Sequence, residues 1–391
     1  MKIAVLTSEF PGQDSPCGGL GRFLELVSRG LTQLNHEVVV FCPGDEVGER
    51  LDEHGFRVVS APAVMWRPLR LIRKLWRLGL GSPWWETDHC FRMARGLIKA
   101  LEEEAVLKPF DLVLGTNLGL ASWFVKPRHG RNCIWISAAN DLWDQADGVW
   151  NQRDKRIRFW FECRLMRRAE KLLCPSRAIQ KHFKEQYGID SDWVPAPCEV
   201  KLSKESGDEK ILAKLPERYL IHFGQIGTRK GSKDLAEALP RVWEACPDFR
   251  MVWAGPEIHE GTVSSYRALW GERADHILVL GPLARPDLNS CVKDAEASVL
   301  PSRVDNFPNT ALESLVAGVP VITVEGNSVD ELVENGVTGT IVRNGDPAAL
   351  ATALIAAWNK PLSCDDSAVS TLLSKHDAQQ VAARVEELCV V

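Results

Sequence analysis

Apolar and polar positions along this chain follow a repeating pattern. A short apolar run ends in polar or glycine residues, and a longer segment with apolar residues at helical spacing follows it. KIAVLTSEF, from Lys2, is the first such run. Gly18, Gly19 and Gly21 form a turn after it, FLELVSRGLTQL carries the helical period, and HEVVVFCP closes the unit. Strand, loop, helix, strand is the βαβ unit of a parallel sheet. Further runs at FRVVSA, FDLVLG, CIWISA and KLLCPS are separated by lengths that fit crossover helices. Each ends where a loop can carry chemistry, at the carboxyl edge of an open α/β sheet.

The polar stretch from Glu199 to Pro216 breaks this rhythm, and RYLIHFGQIG restarts it with another strand and glycine loop. YLIHFG, FRMVWAG, HILVLG, ASVLPS, VPVITV and TGTIV then read as the strands of a second doubly wound sheet. The pattern predicts an α/β protein of two Rossmann-like domains, residues 1–200 and 201–375. An amphipathic helix in residues 376–391 (DAQQVAARVEEL) is expected to cross back to the first domain and pack at the joint.

Composition narrows the function. With 391 residues, 45% apolar and 25% charged, the chain is long enough for two cores. A formal net charge of -5 provides no overall field for a polyanion, which argues against nucleic acid as a partner. The eleven cysteines are scattered without C-x-x-C spacing, and only a short strand follows Met1-Lys2. Both features indicate free thiols in a reducing cytoplasm. No apolar stretch is long enough to span a bilayer. The nine histidines show no metal-ligand spacing, and the D-S-D at Asp190 to Asp192 sits too near the interdomain crossing to be read as a metal motif.

Chemistry concentrates in two places in the second half. In SRVDNFPNTALESLVAGVPVI, Asp305 and Glu313 flank a loop-to-helix transition marked by Pro308, Asn309 and Thr310. Asn306 and Phe307 fall near the helix N-terminus, where free N–H groups favour an anion or sugar hydroxyls. Glu313, farther into the helix, can accept bonds from a ribose diol, and Asp305 can reach a sugar hydroxyl. Some 75 to 80 residues earlier, FGQIGTRKGSKDL places Gly224, Gln225, Gly227, Arg229, Lys230 and Gly231 after a strand. Glycines there let the backbone approach a ligand, and the adjacent cations offset diphosphate charge, including charge that develops as a glycosidic bond breaks.

Taken in order, GGLGR, NDLW, CPS with VPAP, G-x-x-x-x-x-K-G, WAGPE, VLGPL, LPSRVDNFPNTALESLVAGVPVI and ENGVTGTIV with NGDPAAL resemble the family 4 glycosyltransferases of the GT-B fold, over nearly the whole chain. The resemblance implies two Rossmann-like domains facing a cleft and a retaining transfer of a hexose from a nucleotide diphosphate sugar, most commonly a UDP-sugar, with no metal or other cofactor. It implies that Glu313 binds ribose, Lys230 binds diphosphate and Asp305 meets the donor sugar, and it places Gly18, Gly19 and Arg22 beside the donor phosphates or acceptor. Three positions depart from the pattern. Asp305 stands where glutamate is usual, Gln225 replaces an arginine, and Asn140-Asp141 replaces a histidine-aspartate pair. Asn140 cannot act as a base, but in a front-face transfer the leaving diphosphate can take the acceptor's proton, leaving the protein to position reactants and stabilise charge. Asn140 and Asp141 are then candidates either for sugar or acceptor contacts or for a structural turn.

The acceptor is expected to be a glycan, a lipid-linked sugar or a small molecule, in polysaccharide, glycolipid or glycoconjugate synthesis. Two other readings use the same architecture: a nucleotide-sugar 2-epimerase and a non-catalytic nucleotide-sugar-binding scaffold. The segment Met65 to Trp85 holds five basic residues, four tryptophans and no acid. A helix from about Leu69 would group Arg70, Arg73, Lys74 and Arg77 on one side, a pattern suited to peripheral contact at the inner face of a membrane or to a solvated basic helix face. The basic cluster from Arg153 to Arg168 would extend that surface or coat a helix.

Overall fold

The computed structural model describes residues 1–12, 18–77, 84–200, 202–203, 205–306 and 308–390. The chain divides into two compact units, Met1–Glu199 with Lys375–Val391, and Val200–Ser374.

The first unit contains β1 (Lys2–Leu6), α1 (Gly19–Gln33), β2 (Glu37–Pro43), β3 (Gly48–Leu51), β4 (Arg57–Ala61), α2 (Arg67–Arg77), α3 (Trp85–Ala105), β5 (Leu112–Thr116), β6 (Arg131–Trp135), α4 (Asn140–Ala146), α5 (Arg153–Met166), β7 (Lys171–Cys174), α6 (Arg177–Tyr187) and β8 (Asp192–Trp193). Its sheet runs β3-β4-β2-β1-β5-β6-β7-β8 and is parallel except for β3, an antiparallel edge strand on β4. The sequence reading missed β3 because GERL has no apolar run. Its residues are mostly exposed; the backbone ladder with β4 places them, with side-chain support from the Glu49–Arg57 ion pair at 2.7 Å and from Arg50, which donates to the Pro11 carbonyl.

In the second unit come α7 (Glu209–Leu212), β9 (Leu220–Phe223), α8 (Ser232–Ala245), β10 (Met251–Ala254), α9 (Thr262–Trp270), β11 (Ile277–Gly281), α10 (Arg285–Lys293), β12 (Ser298–Leu300), α11 (Asn309–Val316), β13 (Val321–Val324), β14 (Gly339–Val342), α12 (Pro347–Asn359) and α13 (Asp366–Lys375). The sheet order is β11-β10-β9-β12-β13-β14, all parallel. The first strand, β9, is central: the chain winds to one side through β10 and β11, then returns to β12 and winds the other way. The β9/β12 boundary is therefore the topological switch point, where the loops leaving two neighbouring strands diverge and open a crevice.

Strand burial explains the apolar runs. β1, β5, β9, β10 and β13 are buried along their whole length, as strands covered by helices on both faces must be. The last helix, α14 (Ala378–Val390), returns to the first unit, where Val381, Ala382, Val385 and Cys389 join the core with Leu24, Val27 and Leu31 of α1. Gly30 allows the close approach, since a Cβ there would stand 2.2 Å from the Ala378 carbonyl oxygen.

Candidate active site

In the second unit, the loops leaving β9 and β12 meet at the switch point. Gly224, with φ of 107°, turns the chain out of β9. A Cβ on it would lie 3.4 Å from Thr310 Cγ2, so the start of α11 abuts the start of the glycine loop. Three contacts then stitch the loops together. Gly231, at φ 72°, lies so close to the next loop that a Cβ would stand 1.9 Å from the Pro301 carbonyl oxygen. Arg303 N donates to the Arg229 carbonyl at 2.9 Å. Finally, Lys230 Nζ and the Asp305 carboxylate form an ion pair. The two chemical signals, 75 residues apart in sequence, form one site.

Asp305 is held from all sides. Its N–H donates to the Asn327 carbonyl at 3.0 Å, its carbonyl accepts from Ser328 Oγ at 2.9 Å, and its second carboxylate oxygen accepts from Asn306 N at 2.9 Å. Asn327 is itself locked by donation to the Ser302 carbonyl at 2.5 Å and by accepting from Val329 N at 3.0 Å. Arg303 grips Asp234 of α8 through two bonds of 2.7 and 2.5 Å and accepts from Asn344 Nδ2 at 3.0 Å. Glu313, on the second turn of α11, pairs with Arg285 Nη1 at 2.5 Å. Gln225 accepts from Arg229 Nη2 at 3.2 Å, so it orients a cation where an arginine was expected. Pro308 caps α11 and Asn309 and Thr310 begin it; Phe307 lies outside the described residues.

The sequence reading missed Asn327, Arg303 and His222. Only His222 left a signal: a single polar residue within the fully buried strand LIHF.

The remaining candidates belong to the first unit. Gly18 caps α1, and Gly21 N donates to Glu9 Oε1 at 2.9 Å, so a carboxylate of the chain itself sits at this helix start. Arg22 pairs with Glu25 at 2.5 Å and approaches Glu199 at 3.8 Å. Asn140 and Asp141 open α4, and both side chains point inward. Asn140 Nδ2 donates to the two oxygens of Glu162 at 2.8 and 2.9 Å. Asp141 Oδ2 meets His182 Nε2 and Tyr187 Oη, each at 2.7 Å. Burial lifts the Glu162 carboxyl to about 7 despite the nearby Arg158, and also raises Asp144. These bonds make Asn140 and Asp141 the anchors of α4 against α5 and α6. Asp190 pairs with Lys184 at 3.1 Å and Asp192 with Lys171 at 2.8 Å, so the D-S-D carboxylates hold lysines.

Comparison with known proteins bears on the family and the fold. Residues 18–197 match the model for the glycosyl transferase 4-like domain, and residues 217–360 that for glycosyl transferases group 1. Glycogen synthase of Mycobacterium tuberculosis is 25% identical over 99% of this chain and 94% of its own. A GDP-mannose-dependent phosphatidylinositol monomannoside mannosyltransferase of Mycolicibacterium smegmatis is 23% identical over 90% of this chain and 88% of its own. Among solved structures, sucrose-phosphate synthase from Thermosynechococcus elongatus superposes with a TM-score of 0.72 at 17% identity, covering 99% of this chain and 98% of that one. Anabaena HepE in complex with UDP and glucose superposes at 0.63 and 16% identity, covering 99% and 98%. Two domain matches in tandem, full-length glycosyltransferase relatives and two Rossmann-like units with the expected loops place this chain in family 4 of the glycosyltransferases, with the GT-B fold.

Proposed function

We propose that this enzyme transfers a hexose from a nucleotide diphosphate sugar, with a UDP-sugar as first candidate, to a glycan, lipid-linked or small-molecule acceptor, retaining the anomeric configuration and needing no metal. The observation that carries this reading is the joining of Lys230 and Asp305 at the switch point, with Glu313 one helix turn or two beyond. A cation fixed on a glycine turn supplies the charge that a departing diphosphate requires. Glu313 would exchange Arg285 for the ribose diol, and the start of α11 would offer N–H groups to the donor. In the transfer, the bond from C1 to the diphosphate oxygen breaks, the acceptor oxygen bonds to C1 on the same face, and its proton passes to the departing diphosphate. No protein base is required, which is compatible with Asn140 being committed to Glu162.

Thermal shift with nucleoside diphosphates and their sugars, with and without magnesium, tests this reading, because a ligand bound only by the folded state stabilises it. Magnesium-independent stabilisation by one nucleotide sugar, followed by transfer or slow donor hydrolysis, is expected. Interconversion of the donor with its C2 epimer would point instead to an epimerase, and binding without turnover to a scaffold.

The same reading includes a cytoplasmic location and peripheral membrane contact through residues 65–85; what supports the contact is the exposed basic and aromatic surface of the first unit. Arg70, Lys74 and Arg77 of α2 are exposed, as are Leu75 and Trp85, while Leu69 is buried and Arg73 turns toward Asp88 and Trp85. Residues 78–83 lie outside the described residues. Arg153, Arg156, Arg164 and Arg167 line the exposed face of α5 around Trp160, whereas Lys155 and Arg158 turn inward to Glu86 and Asp144. Among the described residues, no helix is long and apolar enough to cross a membrane.

A further inference from the structure

Beneath the loop that carries Lys230 lies a buried hydrogen-bonded chain that the donor-site residues leave unexplained. His222, in the middle of β9, is 2% exposed, and Ser232, the first residue of α8, is fully buried. The imidazole spans from the Val299 carbonyl, 2.8 Å from Nδ1, to Ser232 Oγ, 2.9 Å from Nε2. Gly227 N donates to the same hydroxyl oxygen at 3.0 Å.

The direction of each bond follows from the two ends. A carbonyl only accepts, so Nδ1 carries the ring proton. In a neutral ring Nε2 is then bare and accepts the Ser232 hydroxyl hydrogen, leaving Oγ to accept from the Gly227 amide, which only donates. Burial keeps the ring neutral by holding its pKa down to about 4, so the order of donors and acceptors persists across physiological pH. The chain joins the two strands that flank the switch point, β12 through Val299 and β9 through His222, to the turn at Gly227. The Gly227 carbonyl in turn accepts from Lys230 N at 3.1 Å and Ser232 N at 3.2 Å. Both sides of the Gly227 residue are therefore fixed, and the backbone that presents Lys230 hangs from it.

We propose that His222 and Ser232 are positioning residues for the diphosphate: the relay from Gly227 through Ser232 and His222 to Val299 holds the glycine loop so that Lys230 meets the phosphates already in place. This inference rests on the reading of the site as one for a nucleotide sugar. A bound diphosphate gains more from a cation whose backbone needs no reordering than from one on a loose turn. The apolar strand interior would accept an aliphatic side chain at position 222. A histidine there is accounted for by the two polar ends it connects.

The test measures affinity for UDP, with GDP and inorganic pyrophosphate in parallel, by calorimetry, and for uridine by ligand-observed NMR. Ser232→Ala breaks the relay at its centre. His222→Asn keeps a donor near Nδ1 for Val299 but has no atom where Nε2 stood, and His222→Gln restores an acceptor for Ser232. Ser232→Ala and His222→Asn are expected to weaken UDP and pyrophosphate by about five- to tenfold, the scale of one buried hydrogen bond, while uridine affinity stays within about twofold. His222→Gln should recover most of the loss. The double variant should be no worse than the poorer single one, because both break the same chain. Equal losses for UDP and uridine, additive effects, or a lowered melting temperature with unchanged UDP affinity would each overturn the positioning role. If the unmodified protein binds none of these diphosphates, the nucleotide-sugar reading falls and this inference falls with it. Binding that the variants leave intact removes the relay's role alone.

Discussion

At the level of single residues, the site is a set of charges arranged before any donor arrives. Lys230→Ala removes the cation and leaves Asp305 without its counter-charge, and Glu313→Ala removes the carboxylate proposed to accept from the ribose diol. Each is expected to weaken nucleotide-sugar binding or turnover at least tenfold, about 1.4 kcal/mol, as measured by donor titration and steady-state kinetics. Buried acids make a separate demand on pH. The Glu162 carboxyl sits at about 7 in the fold against an ordinary 4.5, so the folded protein holds a proton that the unfolded chain has released between those values. The resulting stabilisation is complete below about 4.5, falls as pH rises toward 7 and is constant above it; it amounts to on the order of 3 kcal/mol. Glu162→Gln is expected to flatten the decline between pH 5 and 7 in a series of thermal melts, while Arg158 keeps Asp144 and Glu86 as partners. His222 acts in the opposite direction: its pKa is lowered, so its contribution is complete above about 6.5 and is lost as pH falls toward 4.

Among the elements, glycine decides how closely two segments approach. Gly231 combines a left-handed φ with a carbonyl 1.9 Å from where a Cβ would stand, whereas Gly318, at φ 77°, has nothing within 4 Å. Gly231→Ala is expected to cost at least about 2 kcal/mol and to weaken diphosphate binding by separating the loops, while Gly318→Ala should cost only about 1 kcal/mol of backbone strain. Chemical denaturation of the two variants tests the difference. Gly30→Ala should loosen α14 from α1, and faster amide exchange in residues 378–390 would report it. The helices and strands themselves were mostly legible from the sequence, because buried parallel strands require unbroken apolar runs and their covering helices require a periodic apolar face. The edge strand β3 was not, since a backbone ladder against β4 leaves no apolar pattern.

For the whole molecule, a formal net charge of -5 conceals a strongly uneven distribution. The exposed face of α2 carries Arg70, Lys74 and Arg77 and that of α5 carries Arg153, Arg156 and Arg164 around Trp160, while the nearby Glu86 pairs with Lys155 and Arg158. Vesicle co-sedimentation is expected to show salt-sensitive binding to anionic but not zwitterionic bilayers, and charge reversal at Arg70, Lys74 and Arg77 should abolish it. Retention of binding in that variant would shift the contact to α5 or remove it. In the second unit, the cations at the switch point are matched by acids: Lys230 with Asp305, Arg285 with Glu313 and Arg303 with Asp234.

The sequence by itself determined that this chain makes two mostly parallel α/β sheets, and it marked two chemical signals, one at Lys230 and one at Asp305 with Glu313, because glycine turns, helix starts and charged residues at fixed spacing are local properties; that the two serve one ligand was implied there by the family resemblance. Only the tertiary structure decided what each side chain is free to do. Asn140 and Asp141 looked available for a sugar, yet the packing of α4 commits them to Glu162, His182 and Tyr187. His222 stood out in the sequence only as a polar residue within an apolar run, yet the adjacency of β9 and β12 gives it a directed role beneath Lys230. The reason is that hydrogen-bond partners are chosen by distance in space. Val299 lies 77 residues from His222 in the chain, and a parallel crossover brings them together without leaving a local trace of the pairing.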